Sequence, residues 1–201
     1  MGVERYTIDS EMSKFTVRVF ATGMFSAFGH SPTLDAREFV GEARFASESL
    51  DNAYIRIRVN AASLTVTNNI DDHDRREIER TMNERVLETD KYPEIVFESS
   101  NVSANRAGNG QYWVNLIGDL SLHGVTRNQP ISAQVALIGD TLRANGEFLV
   151  QQSMHEIKPV SIAGGTLKLK DELKCSFDVL ARKKVQASET QDAHLLAPEV
   201  L

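Results

Sequence analysis

By residue type, the groups that could do chemistry here are five histidines, one cysteine and scattered carboxylates, and their spacing argues against most of it. His30, His73, His123, His155 and His194 include no His-x-x-x-His or comparable pair. A zinc or iron site would therefore need ligands converging from distant segments. The arrangement left open joins His30 and His123, both in predicted loops or turns that can meet at one end of the molecule. His123 directly precedes Gly124, however, and a ring whose nitrogens cap carbonyls or a neighbouring side chain explains it as well. Cys175 is the sole cysteine, which rules out an internal disulfide and a cysteine-based metal cluster. Between Leu173 and Phe177 at strand spacing, it has the setting of a buried, inert thiol. Asp71 and Asp72 stand where a helix begins, and its positive end accounts for them without catalysis. There is no Gly-x-Ser-x-Gly elbow and no glycine-rich phosphate loop. The expectation is a protein with no catalytic residue, no metal and no cofactor.

The charge balance removes further classes. Lys and Arg total 22 against 28 Asp and Glu, a net −6, and the cations are scattered, so no basic face for nucleic acid is present. No apolar run approaches the roughly 20 residues of a spanning helix, so the chain is not expected to cross a membrane by one. The start, Met1-Gly2-Val3-Glu4-Arg5-Tyr6, has no charged-then-apolar leader, which points to the cytoplasm, or to the periplasm if a leader has been trimmed. Tyr6 stands where a myristoylation signal at Gly2 would need Ser or Thr.

What would position any site is a set of strands. Apolar residues alternate with polar ones at Phe15, Val17 and Val19, at Phe39 through Phe45, and at Ile55, Ile57 and Val59. The alternation returns at Tyr112 through Leu122, Ile131 through Leu137, Leu142 through Val150 and Leu173 through Ala181. Turns such as Ile138-Gly139-Asp140 are short enough for hairpins, so seven or eight strands read as an antiparallel meander. One segment departs: Ile78, Met82 and Val86 fall four apart within Ile70 to Glu88, an amphipathic helix inserted between strands and ended before Tyr92-Pro93. Residues 1–184 form one domain, and the aperiodic tail 185–201 is expected to be flexible. An eight-stranded barrel is just wide enough to be filled with side chains or to hold one small ligand. Inward Gly41, Ala43, Gly118, Ala133, Ala144 and Gly146 would either leave room or mark tight bends.

The segments from Gly118 to Thr126, Lys91 to Phe97, Phe28 to Ser31 and Ile162 to Glu172 together resemble the YceI-like family of lipocalin-like polyisoprenoid-binding proteins. Gly118-Asp119-Leu120-Ser121-Leu122-His123-Gly124-Val125-Thr126 is similar to the family's strand and turn. The helix followed by Lys91-Tyr92-Pro93-Glu94-Ile95-Val96-Phe97 resembles its helix, tyrosine-proline and strand. Phe28-Gly29-His30-Ser31 and the run from Ile162 to Glu172 match further, so the resemblance spans roughly residues 5 to 183 in order. It implies an all-β, extended lipocalin-like barrel of eight antiparallel strands, often dimeric, whose apolar channel takes an isoprenoid chain.

On that reading the ligand-binding residues are Phe15, Val17, Val19, Phe39, Phe45, Ile55 and Ile57 from the first half. Phe97, Leu116, Leu120, Leu122, Phe148 and Phe177 come from the second. Phe25 and Phe28, in the Met24-containing loop before His30, cover the mouth, plug the barrel or meet a partner. A polar head would stay near the rim, where Arg127 or Lys158, in predicted connections, can meet it. The partners expected are a long apolar ligand and a second copy of the chain, through Val40, Trp113 and Ile117, unless the helix covers the last two. The alternative is a filled barrel acting as an interaction or stress-response domain. A continuous apolar tunnel of roughly several hundred cubic ångströms would favour binding, and interdigitated rings across the axis would favour the alternative.

Overall fold

The computed structural model describes residues 2–22, 32–47, 49–162 and 167–184. The expected mouth loop with Phe25, Phe28 and His30, and the tail from Val185, lie outside them. Alternation becomes strand wherever it was expected: β1 (Val3–Ile8), β2 (Lys14–Thr22), β3 (Thr33–Ala36), β4 (Phe39–Ala46), β5 (Ser49–Asn60) and β6 (Leu64–Val66). After the helix come β7 (Glu94–Gly108), β8 (Gln111–Leu122), β9 (Val125–Ile138), β10 (Thr141–Gln151), β11 (Ser161–Ile162) and β12 (Leu167–Lys183).

Eight of these close a barrel in the order β1, β4, β5, β7, β8, β9, β10, β12, with β12 returning to β1 through Tyr6↔Lys183 and Ile8↔Ala181. The other long pairings extend the wall. β2 continues along β12, β3 pairs β2, and β6 pairs β3. β1 with β2, β3 with β4, and β5 with β6 thus run as three strands, each interrupted once, at residues 9–13, 37–38 and 61–63. Two-residue turns join β7 to β8, β8 to β9 and β9 to β10, and glycines serve them where a left-handed backbone is required. Gly139 has φ 57 in the two-residue β9–β10 turn, and His123 and Gly124 have φ 52 and 74 in the β8–β9 turn.

The helix α1 (Asp72–Thr81) starts two residues later than the periodicity suggested, because Asp71 caps it, accepting the His73 N–H at 2.7 Å. It runs into a π-turn at Met82–Val86. Glu79 Oε1 takes the Val66 N–H at 2.8 Å, so the helix satisfies the free edge of β6. Ile78, Met82 and Val86 pack with Val19, Leu34, Phe39, Leu64 and Leu122 in one end of the barrel. The helix therefore does not lie over Trp113 and Ile117, which stay 54% and 43% exposed. A second apolar cluster around Tyr6, Phe45, Leu50, Val102 and Leu142 forms the inner wall toward the opposite, hairpin end.

Candidate ligand-binding site

Between the two clusters the barrel is hollow. The interior holds a cavity of about 190 Å³ whose lining side chains are apolar except Glu42. Glu42 belongs to the outer face of β4, where it is hydrogen-bonded to Arg44, and it borders the cavity between the small residues Gly41 and Ala43. At about 190 Å³ the space is smaller than the continuous tunnel of roughly several hundred cubic ångströms that would favour binding. No large side chain is completely sealed among the described residues, as expected when the interior retains free space.

Rings and small residues divide the work around it. Phe15 meets Phe39 edge-on at 4.8 Å and faces Phe177 at 6.3 Å, and Phe148 lies 6.5 Å from Phe177. These rings pack toward the helix end, and further along the same strands Ala43, Ala144 and Ala181, with Ala53 and Ala133, border the hollow. The inward glycines do not leave room; they seat neighbouring side chains and backbone, and Gly118 stands beside a β-bulge in β7. A Cβ on Gly118 would stand 2.6 Å from Phe97 Cζ, one on Gly146 2.7 Å from Phe177 Cζ, and one on Gly41 2.5 Å from Ile8 Cδ1. At the hairpin end Tyr6 and Phe45 stack at 5.1 Å. Burial, and then the Glu4 carboxylate, pushes the Tyr6 phenol up to about 12.

Of the residues assigned to a ligand from the sequence, Phe15, Phe45, Ile55, Ile57, Phe97, Leu116, Leu120, Phe148 and Phe177 line the cavity. Val17, Val19, Phe39 and Leu122 do not; they pack in the helix-end cluster. Ala43, Ala133 and Ala144, expected to leave room, do border the space, and Leu50, Ala53, Val59, Ile95, Val102, Val114 and Ala181 also line it without being assigned to a ligand from the sequence. Several share the phase of the chosen residues, so phase alone would have found them. Arg127 lies in β9 rather than in a connection, because that strand begins at Val125. Lys158 does lie in a connection, between the 3-10 turn Gln152–His155 and β11.

The motif histidine is a fastener. His123 Nδ1 donates to the His155 carbonyl at 3.2 Å, its Nε2 meets Glu88 Oε2 at 2.8 Å, and its ring lies 4.5 Å from that of Tyr92. Glu88 reaches it from a left-handed backbone, φ 46, which also lets its carbonyl accept the Lys91 and Tyr92 N–H groups. The His-Gly turn and the Tyr-Pro segment, distant in sequence, thus lock together, with Gly124 flat against the Tyr92 ring. This tethered ring has no free nitrogen to offer the proposed pairing with His30, which lies outside the described residues. No grouping of three or more metal-ligating side chains occurs among the described residues. Burial pushes the Cys175 thiol up to about 12. No helix among the described residues is long and apolar enough to cross a membrane.

Comparison with known proteins agrees with this architecture. The profile of the YceI-like domain matches residues 6–181. A UPF0312 protein of Shewanella denitrificans is 28% identical over 103 residues, 51% of this chain and 48% of that protein, so the chain spans about half the length of this curated relative. BcnA of Burkholderia cenocepacia superposes with a TM-score of 0.66 at 16% identity, covering 86% of this chain and 98% of that one. A polyisoprenoid binding domain from Saccharophagus degradans, implicated in plant cell wall breakdown, gives 0.66 at 12% identity, covering 89% and 98%. At such identities these two likenesses speak for the fold.

Proposed function

This chain belongs to the YceI-like domain family, and from that membership and its carbon-lined interior we propose that it holds an apolar isoprenoid-type lipid inside the barrel, without chemical change, for carriage, storage or sensing. The observation that carries the reading is the cavity itself: about 190 Å³ with no polar group but Glu42 at its edge. A polar guest would leave its hydrogen bonds unmade there, whereas each five-carbon isoprene unit removed from water contributes about 4 kcal/mol before ordering costs. The Saccharophagus degradans neighbour is a polyisoprenoid binding domain, the same ligand class. The rings and alanines together line a hollow rather than interdigitating across it, which favours binding over the filled-barrel alternative.

Filling the hollow tests it. Ala144→Phe places a ring in the cavity from a half-buried position. The folded variant, checked by circular dichroism, should lose at least tenfold in affinity for a fluorescent polyene fatty chain that the wild type binds. Undiminished binding by the folded variant would place the lipid elsewhere.

A further inference from the structure

Charged residues make up 25% of the chain, yet the outward positions of β7, β8 and β9 carry none from the Glu98↔Asp119 pair up to Gln111. Asparagine, glutamine, serine and a few apolar side chains stand there instead. Paired residues on an antiparallel ladder share a face, and the register lays one row across four strands: Asn105 of β7, Trp113 of β8, Gln134 of β9 and Asn145 of β10. Their sequence neighbours Val114, Ala133, Val135 and Ala144 line the cavity, so this row points the other way, to solvent.

Trp113 is the chain's only tryptophan, and it is 54% exposed. Around it the side-chain amides of Asn105, Gln134 and Asn145 are exposed and make no hydrogen bond to another residue among the described ones. Trp113, Gln134 and Asn145 border a groove of about 250 Å³ together with Gln111, Ala136 and Arg143. Arg143 brings no free charge to it, since its guanidinium donates to both Asp178 oxygens, at 2.9 and 2.7 Å. The strands beneath are paired with one another all along the row, so the face offers no free backbone edge to an extended peptide.

We propose that this outer groove binds a neutral oligosaccharide, with one pyranose ring stacked on Trp113 and its hydroxyls held by the amides of Asn105, Gln134 and Asn145. A pyranose with equatorial hydroxyls presents an apolar C–H face to the indole, while its rim carries groups that both donate and accept. An amide answers both roles, through its NH2 and its carbonyl. Three strand spacings of about 4.8 Å make the row roughly 14 Å long, the length of a short oligosaccharide rather than of one ring. An anionic partner finds no unpaired cation among the residues of this groove, and a purely apolar one would leave the amides without partners. The groove lies across the barrel wall from the lipid cavity and does not depend on it. A second copy docked over Trp113 would cover the same indole, so sugar and copy exclude one another.

Because Trp113 is the only indole, its fluorescence reports this site alone. Titration with cellotetraose and with triacetylchitotriose should shift or quench that emission for at least one of them, saturating at about millimolar concentration or below. Calorimetry should then give about tenfold weaker binding for Trp113→Ala, a smaller loss for Trp113→Phe, which keeps a ring, and a several-fold loss for Gln134→Ala. All three variants should keep the wild-type circular dichroism spectrum, and saturating sugar should shift any dimer held through Trp113 to monomer. No response to either sugar, undiminished binding by folded Trp113→Ala, or tighter binding of the acidic tetragalacturonate overturns the proposal. None of these results touches the reading of the cavity, which has its own test.

Discussion

His123 holds three segments at once, the β8–β9 turn, the chain after α1 and the 3-10 turn at Gln152–His155. Truncating it to alanine releases two hydrogen bonds and a ring contact, and His123→Ala is expected to lower the unfolding free energy by about 2–3 kcal/mol in a urea titration. A loss below about 0.5 kcal/mol would mean that the ring fastens nothing. Cys175 and Tyr6 make a second prediction, because burial raises both to about 12 from ordinary values of 9.0 and 10.0. The unfolded chain releases these protons first, so between pH 9 and 12 it binds fewer protons than the native state and stability falls as pH rises. Below pH 9 both contributions are fully present. Cys175→Ala should flatten part of that alkaline decline, and in the wild type at pH 8 a disulfide reagent should label Cys175 far more slowly than in urea. Equal labelling rates would contradict its burial. The inert thiol and the capping role of His123 were legible from their immediate neighbours. Glu88 as the partner of His123 was not, since it depends on a left-handed residue turning the chain back across a non-local contact.

At the scale of the strand, period two tells which residues point inward but not how far along the axis they lie. Phe15 and Phe39 share the inward phase and touch, yet Phe15 borders the cavity while Phe39 packs below it with the helix. The glycines were ambiguous for a related reason. A missing side chain creates space, and only the neighbouring strand decides what fills it. Gly118 faces Phe97 and the Glu98 carbonyl, 2.6 and 2.5 Å from where a Cβ would stand. Gly118→Ala must therefore displace a core ring or the backbone, with an expected loss of about 1–3 kcal/mol by thermal or denaturant unfolding. A neutral substitution would show that the ring has room to move. The early start of β9 escaped notice because Arg127-Asn128-Gln129-Pro130 reads as a connection. Its strand geometry comes from β8, which pairs it from Leu122↔Val125 onward.

For the molecule as a whole, the meander was legible from alternation, but its closure through β1 and β12 joins opposite ends of the chain and leaves no local trace. The family resemblance supplied the closed barrel before the structure did. With the helix lodged at the barrel end, Trp113 and Ile117 remain exposed on one strand either side of Asn115, and Val40 is 55% exposed on β4. Such apolar groups on an otherwise polar outer face suit a self-complementary contact. We propose a homodimer through Trp113. Light scattering should give twice the chain mass for the wild type and the monomer mass for Trp113→Glu. A monomeric wild type, or a folded variant that stays dimeric, removes the contact from this face. The central claim, that the hollow between the two apolar clusters belongs to a lipid, meets its most direct test in native mass spectrometry of protein purified from its own host. An added mass of a few hundred daltons that organic extraction removes and an isoprenoid restores is expected, whereas a clean apo mass with no uptake of isoprenoid or fatty chain would show that the hollow holds no lipid.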